Sequence, residues 1–408
     1  MKEKLIKFFD FIQYWMIVIL PFSIAIASGP MNIFMGWLLF SYLMKKILKR
    51  ERFVFPADIN TAFLFLIIIS ILSMINSISL KDSIKGGVLR LVQYGFVYLA
   101  VMDGLKDTRH IRRIFIAMVL GTCFVSFDGL WQVITGKDFV RGYAPIENIG
   151  LLRATASFKD ANLLGIYLSA FVPLILGLTI YYFKYKKISL IFINLLTLTG
   201  VILTYSRPSL LAVYLSLLFL SIVNKDKLMM IGLLVLLVVS LFVMPRSVKE
   251  WAKKVDYNIL RFMCNDDRIA TYGNTLNMIK SHPIIGVGVN NFMKSYKNYK
   301  TSPEYRNVVT SDYMYAHNNF LHMAGEIGLI GLGIFLWLLY KLFSAAWDIY
   351  KRLSDNFLKI ISLSLIACLL AFLVNGLTES NLYYSRVAII FWYLTGFCLG
   401  MKKFCGEC

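Results

Sequence analysis

Three adjacent polar residues, His317, Asn318 and Asn319, immediately precede an apolar run that is long enough to cross a lipid bilayer. A histidine titrates near neutral pH, so at the entrance of a membrane helix its ring can exchange protons with water and still reach a lipid-borne substrate. These properties suit a general base, with Asn318 as a neighbouring substrate contact. The alternative is that His317 only caps the helix that follows.

A second histidine, His322, follows within the apolar run. On a helix, this spacing turns the two rings about 140° away from each other, whereas helical zinc pairs are four residues apart. A third ligand is not apparent in the sequence. The spacing therefore predicts no metal site.

Three arginines in the segments between apolar runs could bind an anion. Arg207 lies in the short hairpin "LTYSRPSLL", and Arg268 lies at the start of a later polar helix. Arg153 lies in "LLRATASFKDANLLG", which also contains Asn162. A guanidinium group stays charged and can bond two phosphate oxygens at once. For any one of these arginines a lipid headgroup or an internal ion pair is an equally good partner, but as a set they favour an anionic ligand.

Ionisable residues also occur inside the apolar runs, where each costs about 2.5–3.5 kcal/mol on insertion scales. Arg90 and Asp128 lie at similar depths in runs of opposite direction, which favours a structural ion pair over a substrate contact of Arg90. Glu326 lies one helical turn after His322, and a structural hydrogen bond is expected there. Glu379, near the end of its run, receives the same interpretation.

The composition indicates which elements must position these side chains. The 408 residues are 58% hydrophobic and 16% charged, with a mean hydropathy of +0.66. Repeated apolar runs match the roughly 18 or more residues that a membrane helix needs. We therefore expect an all-α, polytopic integral membrane protein that forms a single membrane domain over 1–408. About twelve transmembrane helices are predicted, at 12–28, 31–48, 60–79, 86–103, 111–134, 161–182, 187–205, 208–223, 228–244, 318–340, 357–377 and 386–401.

The distribution of lysine and arginine predicts the orientation of these helices, because short cationic loops stay in the cytoplasm. Every second loop is basic, with clusters at 45–52, 106–113, 184–187, 225–227, 351–359 and 402–403. Both termini are therefore expected in the cytoplasm, with His317, Arg207 and Arg268 at the outer face. The net charge of +20 is mostly a topology signal and does not require nucleic acid as a partner.

The longest polar segment, 245–316, is predicted to be a large helical loop on the outer face. Within it, "SVKEWAKKVDYNILRFM" (247–263) has apolar residues at helical spacing with lysines opposite. This pattern is typical of one amphipathic helix that lies on the bilayer or on the outer ends of the spans. A second helix is expected to end at His282–Pro283, followed by a turn at Gly286 and Gly288.

Four stretches follow one another over roughly 153–336: "SFKDANLLGIYLSAFVPLIL", "LTYSRPSLLAV", "HPIIGVGVNNF" and "YAHNNFLHMAGEIGLIGLGIF". In this order they resemble the bacterial O-antigen ligase and O-antigen polymerase superfamily of polytopic glycosyltransferases, and they look most similar to the ligases. One departure is "FKDAN", which has Asp160–Ala161 where many relatives carry Asn–Pro or a similar pair before Asn162.

The resemblance implies an enzyme of the bacterial inner membrane with a periplasmic active site. It implies an undecaprenyl-diphosphate-linked glycan as donor, the lipid A core as acceptor, and a metal-independent transfer that inverts the anomeric carbon. By match to the family's motifs, His317 would deprotonate the acceptor hydroxyl, while Arg207 and Arg268 would hold the diphosphate as it leaves. The further expected substrate contacts are Arg153, Asn318, Asn162 and Arg90.

Two alternatives remain open. An O-antigen polymerase would extend a carrier-linked glycan instead of transferring it to lipid A core. A transporter or flippase for an anionic lipid would also place arginines near the membrane surface. It would further require polar residues along a path to the cytoplasmic side, whereas the polar residues of this sequence concentrate at the outer edge of the predicted spans.

Overall fold

Long apolar segments with capped ends form helices throughout the chain. The computed structural model describes residues 1–51, 57–148, 150–182, 188–243, 246–300 and 312–406. Six helix starts among the described residues are fixed by side chains that accept hydrogen bonds from free backbone N–H groups, those of Asp107, Asp160, Asp226, Asn258, Asn318 and Asp355. The protein is an all-α polytopic membrane protein, as predicted.

The elements follow the predicted spans closely. The helices are α1 (Lys2–Ile26), α2 (Ser28–Lys49), α3 (Ala57–Ser73), α4 (Leu80–Asp82), α5 (Leu89–Gly104), α6 (Thr108–Thr135), α7 (Ala161–Tyr182), α8 (Ile188–Leu203), α9 (Arg207–Val223), α10 (Lys227–Val243), α11 (Arg246–Lys254), α12 (Ile259–Met263), α13 (Asp266–Ser281), α14 (Phe292–Ser295), α15 (Asn319–Arg352), α16 (Asn356–Asn375) and α17 (Ser385–Gly400). A π-helical stretch, Ser83–Val88, joins α4 to α5. A feature that the sequence did not predict is a short antiparallel ladder of β1 (Ile146–Asn148) and β2 (Leu151–Arg153).

Each predicted span overlaps a helix of the structure. Eight helices among the described residues are long and apolar enough to cross a membrane: Lys2–Ile26, Ile59–Asn76, Leu80–Gly104, Thr108–Thr135, Ala161–Tyr182, Asn319–Arg352, Asn356–Asn375 and Ser385–Phe404. Shorter apolar helices occupy Ile188–Leu203, Arg207–Val223 and Lys227–Val239. The remaining predicted span corresponds to α2. The count of about twelve crossings stays a prediction.

Helices α7, α16 and α17 are the most deeply buried of the long helices and form the centre of the bundle. Around them, α16 packs against α7 and α9, α17 packs against α5, and α1 packs against α2 and α6. The direction of the helices alternates, so the bundle has two ends. We call the end with the first and last described residues the terminal end, and the opposite end the loop end.

The terminal end carries a cluster of paired charges. Lys45 and Lys106 both contact Asp10, and Lys46 contacts Asp103 at 3.0 Å and Glu51 at 3.2 Å. We call these six residues the terminal-end cluster. The basic residues predicted at position 52 and at 184–187 lie outside the described residues.

The expectation of one amphipathic helix over 247–263 is wrong. The segment is split into α11 and α12 by Asp256 and Tyr257, whose φ angles of 51° and 53° cannot continue a right-handed helix. Ile259, one of the apolar residues of this segment, is 79% exposed. The second predicted helix is confirmed as α13, which ends at Ser281 with His282 as its C-cap.

The long helix α15 is broken at Gly328, where a φ of 74° interrupts the helical hydrogen bonds. The loop 283–291 fills this break. Three backbone hydrogen bonds join the two: Val287 N–H to Gly325 O at 2.9 Å, Gly288 N–H to Glu326 O at 2.9 Å, and Leu329 N–H to Pro283 O at 2.8 Å. The predicted turn is confirmed by φ angles of 69° at Gly286 and 104° at Gly288, which glycine adopts readily.

Candidate functional site

His317 lies at the loop end, in the turn that begins α15. Its φ of 49° places it in the left-handed region, and its carbonyl accepts a hydrogen bond from the hydroxyl of Tyr272 at 3.1 Å. The ring Nδ1 lies 3.1 Å from Oε2 of Glu379. When Nδ1 carries the proton toward this carboxylate, Nε2 is free to accept another. The side chain is 21% exposed, so the ring is fixed and still accessible.

Glu379, in the loop after α16, joins the histidine to an arginine. Its side chain is only 4% exposed, and its Oε1 accepts a hydrogen bond from Nη2 of Arg268, which also donates from Nη1 to the carbonyl of Thr378 at 3.0 Å. Burial acts to raise the pKa of Glu379, but the charge of Arg268 and the hydrogen bond of His317 outweigh burial, so the pKa lies below its ordinary value. The carboxylate therefore stays charged beside the ring.

Arg207 begins α9 and points toward the polar loop. Its Nη1 donates to the carbonyl of Phe262, and the guanidinium carbon lies 5.3 Å from the ring centroid of Phe262 and 6.0 Å from that of Trp251. Arg207 lies within electrostatic range of Arg268 and Arg153. Aromatic rings and a carbonyl orient the guanidinium without cancelling its charge.

Arg153, at the end of β2, completes the group of arginines. Its Nε donates to the carbonyl of Thr204 at 2.8 Å, and its Nη2 donates to Oδ1 of Asn162 at 2.7 Å. Burial lowers the pKa of Arg153, and the positive charge of Arg268 acts in the same direction. The structure thus brings most of the predicted site residues together. We call His317, Glu379, Arg153, Arg207 and Arg268 the arginine site.

Asn318 has a structural task next to this site. Its Oδ1 accepts hydrogen bonds from the N–H groups of Phe320 and Leu321 at 2.9 and 3.0 Å, which caps α15. Its Nδ2 donates to the carbonyl of Leu377 at 2.8 Å and so ties the start of α15 to the end of α16. The additional role of Asn318 as a substrate contact stays a prediction.

The expected ion pair between Arg90 and Asp128 is wrong. Asp128 accepts a hydrogen bond from the N–H of Phe139 at 2.6 Å. Helix α5 packs against α17, whereas α6 packs against α1 and α8, which separates the two side chains. Arg90 instead lines a cavity of about 90 Å³ together with Glu326. It forms no hydrogen bond or ion pair with another residue in the described part of the chain.

The expected hydrogen bond between His322 and Glu326 is confirmed. His322 Nε2 lies 3.3 Å from Oε1 of Glu326, and its Nδ1 lies 3.0 Å from Oγ of Ser380. The ring stacks on Tyr383 with 3.5 Å between the centroids. The side chain of His322 is 1% exposed, so it is closed off from solvent, unlike that of His317.

Sequence reasoning missed the role of Glu379, which it interpreted as a structural hydrogen bond. The residue is 62 positions from His317 and 111 from Arg268, so no local pattern links them. The available signal was an acid retained at the end of an apolar run near a predicted base. Tyr272, which holds the backbone of His317, had no signal at all in the sequence.

Fold and site together define a multi-pass membrane protein with a histidine–carboxylate pair beside clustered arginines. Residues 192–336 match the sequence model of the family described as O-antigen ligase. This match supports the assignment of the chain to the O-antigen ligase and O-antigen polymerase superfamily, and with it an activity of the ligase or polymerase type. No curated protein matches the chain. The matched segment contains Arg207, Arg268 and His317, whereas Arg153 and Glu379 lie outside it.

Proposed function

We propose that this protein is an O-antigen ligase that transfers a glycan from undecaprenyl diphosphate to a hydroxyl of the lipid A core. The observation that carries the proposal is the arginine site, in which a fixed, accessible histidine lies beside three arginines, one of which, Arg268, pairs with the same carboxylate as the histidine. The family match over 192–336 supports the class of reaction. The basic loops support an orientation with both termini in the cytoplasm and the site at the periplasmic face of the inner membrane.

His317 acts as the general base in this proposal. Glu379 accepts a hydrogen bond from Nδ1–H and so keeps Nε2 unprotonated and directed at the acceptor hydroxyl, as a carboxylate does for a catalytic histidine. Nε2 takes the proton of the hydroxyl while its oxygen bonds to the anomeric carbon of the donor. Ionised Glu379 also stabilises the positive charge that forms on the ring.

Arg207, Arg153 and Arg268 hold the leaving group. The bond between the anomeric carbon and the diphosphate oxygen breaks, and undecaprenyl diphosphate leaves with the electron pair. The developing negative charge meets guanidinium groups that are already oriented by Phe262, Asn162 and Thr378, so little reorganisation is needed. Attack opposite to the leaving group inverts the anomeric carbon.

The test uses the purified full-length protein in detergent with undecaprenyl-diphosphate-linked glycan and lipid A core. The wild type should produce glycan attached to lipid A core, and His317→Ala should lower kcat at least about 100-fold, the usual contribution of a general base. His282→Ala is the matched control, because His282 lies at the same end and contacts Tyr299 rather than the arginine site. Its activity should stay near that of the wild type.

The other outcomes separate the alternatives. A carrier-linked glycan that grows longer, with no product on lipid A core, would make the protein a polymerase. Full activity of His317→Ala would remove the base from the mechanism. Movement of the intact carrier lipid between leaflets of a vesicle, with neither product formed, would favour a flippase.

A further inference from the structure

The cavity lined by Arg90 and Glu326 contains unusual unpartnered polar groups. Glu326 is 2% exposed, and its Oε1 lies near His322 and accepts from the N–H of Phe292 at 3.2 Å, while its Oε2 has no hydrogen-bond partner within the described ranges. The hydroxyl of Tyr94, which is also buried and lines the cavity, is likewise without a partner there. Buried polar atoms rarely stay unpaired in native proteins, so the cavity calls for a polar occupant.

The cavity's two charged side chains do not neutralise each other. Arg90 and Glu326 both line the cavity but form no ion pair with one another. A guanidinium attracts a phosphate, and a carboxylate oxygen needs a donor such as a hydroxyl. A phosphate alone would be repelled by Glu326, and a hydroxyl alone would leave Arg90 unsatisfied. The complementary headgroup therefore carries both a phosphate and a free hydroxyl.

A separate apolar trough lies along α3 and α5, two of the helices that line the cavity. It has a volume of about 310 Å³ and is lined by α3 and α5, with residues Asn60, Thr61, Phe63, Leu64, Ile67, Val92, Gly95, Phe96 and Leu99. On α5 it begins beyond Arg90 and extends toward the terminal end, which at 1.5 Å per residue places it about 10 Å deeper in the bundle. Leu64 at its rim is 55% exposed, so the trough opens to the membrane. A polar head site above an apolar trough matches one lipid molecule.

The cavity also adjoins the arginine site. Its Glu326 contacts His322, His322 contacts Ser380, and Ser380 follows Glu379, the partner of His317. The loop 283–291 covers the cavity through Val289 and Asn290, which also line it. His322 and Ser380 therefore connect a lipid headgroup in the cavity to Glu379 and the proposed base.

We call the cavity and the trough together the α3–α5 seam. We propose that this seam is the docking site of the acceptor lipid, with the lipid phosphate on Arg90, a headgroup hydroxyl on Glu326 and Tyr94, and an acyl chain in the trough. The assignment to the acceptor rests on the proposed transferase function. Lipid binding at the seam is independent of the transferase function, because it is inferred from the cavity and the trough alone. The arginine site remains for the diphosphate of the donor, so the two lipids occupy separate sites.

The first experiment measures lipid binding to the delipidated full-length protein by native mass spectrometry. Phosphatidylglycerol, which has a phosphate and free hydroxyls, is the probe, with phosphatidylcholine and a galactosyl diacylglycerol as comparison lipids that lack the hydroxyls or the phosphate. Phosphatidylglycerol should bind best, and inorganic phosphate should not displace it. Equal retention of the three lipids, or displacement by phosphate, would overturn the proposal that the seam recognises a lipid with both a phosphate and a free hydroxyl.

Variants test the two parts of the seam. Arg90→Gln should weaken binding of phosphatidylglycerol about tenfold through the loss of a charge-assisted hydrogen bond, and Val92→Trp should weaken it by filling the trough. The matched controls are Arg109→Gln, an exposed arginine of the terminal end, and Leu195→Trp, on an exposed face of α8. Tyr94→Phe removes one hydroxyl without changing the packing and should weaken binding several-fold. If the seam variants bind like the controls, the seam is not the lipid site.

A second experiment separates this proposal from the proposed function. In the transfer assay, Arg90→Gln should raise KM for the lipid acceptor about tenfold, with KM for the donor and kcat within about twofold of the wild type. An unchanged acceptor KM in an active enzyme would overturn the acceptor assignment. If Arg90→Gln lowers lipid binding but the wild type performs no transfer, the lipid site stands and the transferase proposal fails.

Discussion

The two ends of the helix bundle both concentrate cations, but they neutralise them differently. In the terminal-end cluster, Lys45, Lys46 and Lys106 each contact a carboxylate. At the loop end, within the part of the chain that the structure describes, only Arg268 of the three site arginines forms an ion pair. Arg153 and Arg207 donate to carbonyl and amide oxygens instead.

The difference separates structural charge from charge that is available to a ligand. An ion pair cancels the field of its cation, whereas a carbonyl orients a guanidinium and leaves its positive charge in place. The terminal-end cluster therefore needs no further partner, and the arginine site has positive charge left for an anionic ligand, which in our proposal is the diphosphate of the donor. Each prediction below asks whether a cation contributes to folding, to activity or to both.

The largest effect is expected from Arg268→Ala, because Arg268 contributes both to folding and to activity. The variant leaves Glu379 buried without its cation, a change that typically costs about 3–5 kcal/mol of folding free energy. It should also abolish transfer, because the proposed diphosphate site loses one of its guanidinium groups and Glu379, the partner of His317, loses the cation that keeps it charged. Thermal unfolding in detergent and the transfer assay measure the two effects.

The double variant Arg268→Gln/Glu379→Gln is the control for Arg268→Ala. It removes both charges, so stability should largely return while activity stays lost. The stability deficit of Arg268→Ala should also shrink as the pH is lowered from about 7 toward 4. Without Arg268, burial raises the pKa of Glu379 relative to the wild type, and protonation then relieves the buried charge. A deficit that does not change with pH would contradict this account.

Arg207→Lys should affect activity alone. Lysine keeps the charge but not the planar fork that bonds two phosphate oxygens, so KM for the donor should rise about 10- to 100-fold while the melting temperature changes little. Arg261→Lys is the matched control, because Arg261 is an exposed arginine of the neighbouring α12. Equal KM values for the donor in the two variants would show that Arg207 does not bind the diphosphate.

Lys46→Met should affect stability alone. Lys46 is mostly buried, and its loss leaves Asp103 without its ion pair, at a cost of about 1–3 kcal/mol in folding free energy. The folded fraction should transfer glycan at the wild-type rate, since the terminal-end cluster lies at the opposite end from the arginine site. A lower kcat in correctly folded Lys46→Met would break the contrast between the two ends.

Asn162→Ala should give the smallest effect. It removes the acceptor that orients Nη2 of Arg153, a hydrogen bond worth about 1 kcal/mol, so KM for the donor should rise about fivefold. Stability should be nearly unchanged because Asn162 is only partly buried. A wild-type KM would assign Arg153 to structure rather than to donor binding.

The sequence predicted the helices well because apolar runs, basic loops and caps are local signals. Arg207, Arg268, Arg153 and His317 could be proposed in the same way, because their residue types stand out beside apolar runs. The contacts between distant segments could not be proposed. The error over Arg90 and Asp128 arose from assuming that consecutive spans are neighbours, and the role of Glu379 depends on loops that only packing brings together.

The broken helix α15 also determines the order in which the protein can be built. Residues 283–291 are synthesised before Gly325, Glu326 and Gly328, so the N–H groups of Val287 and Gly288 have no native acceptors until α15 has entered the membrane. Arg268 likewise has no ion-pair partner until Glu379, 111 residues later in the chain, has been synthesised. The arginine site of a nascent chain is therefore incomplete through most of its synthesis, and activity can begin only after α16 has been inserted.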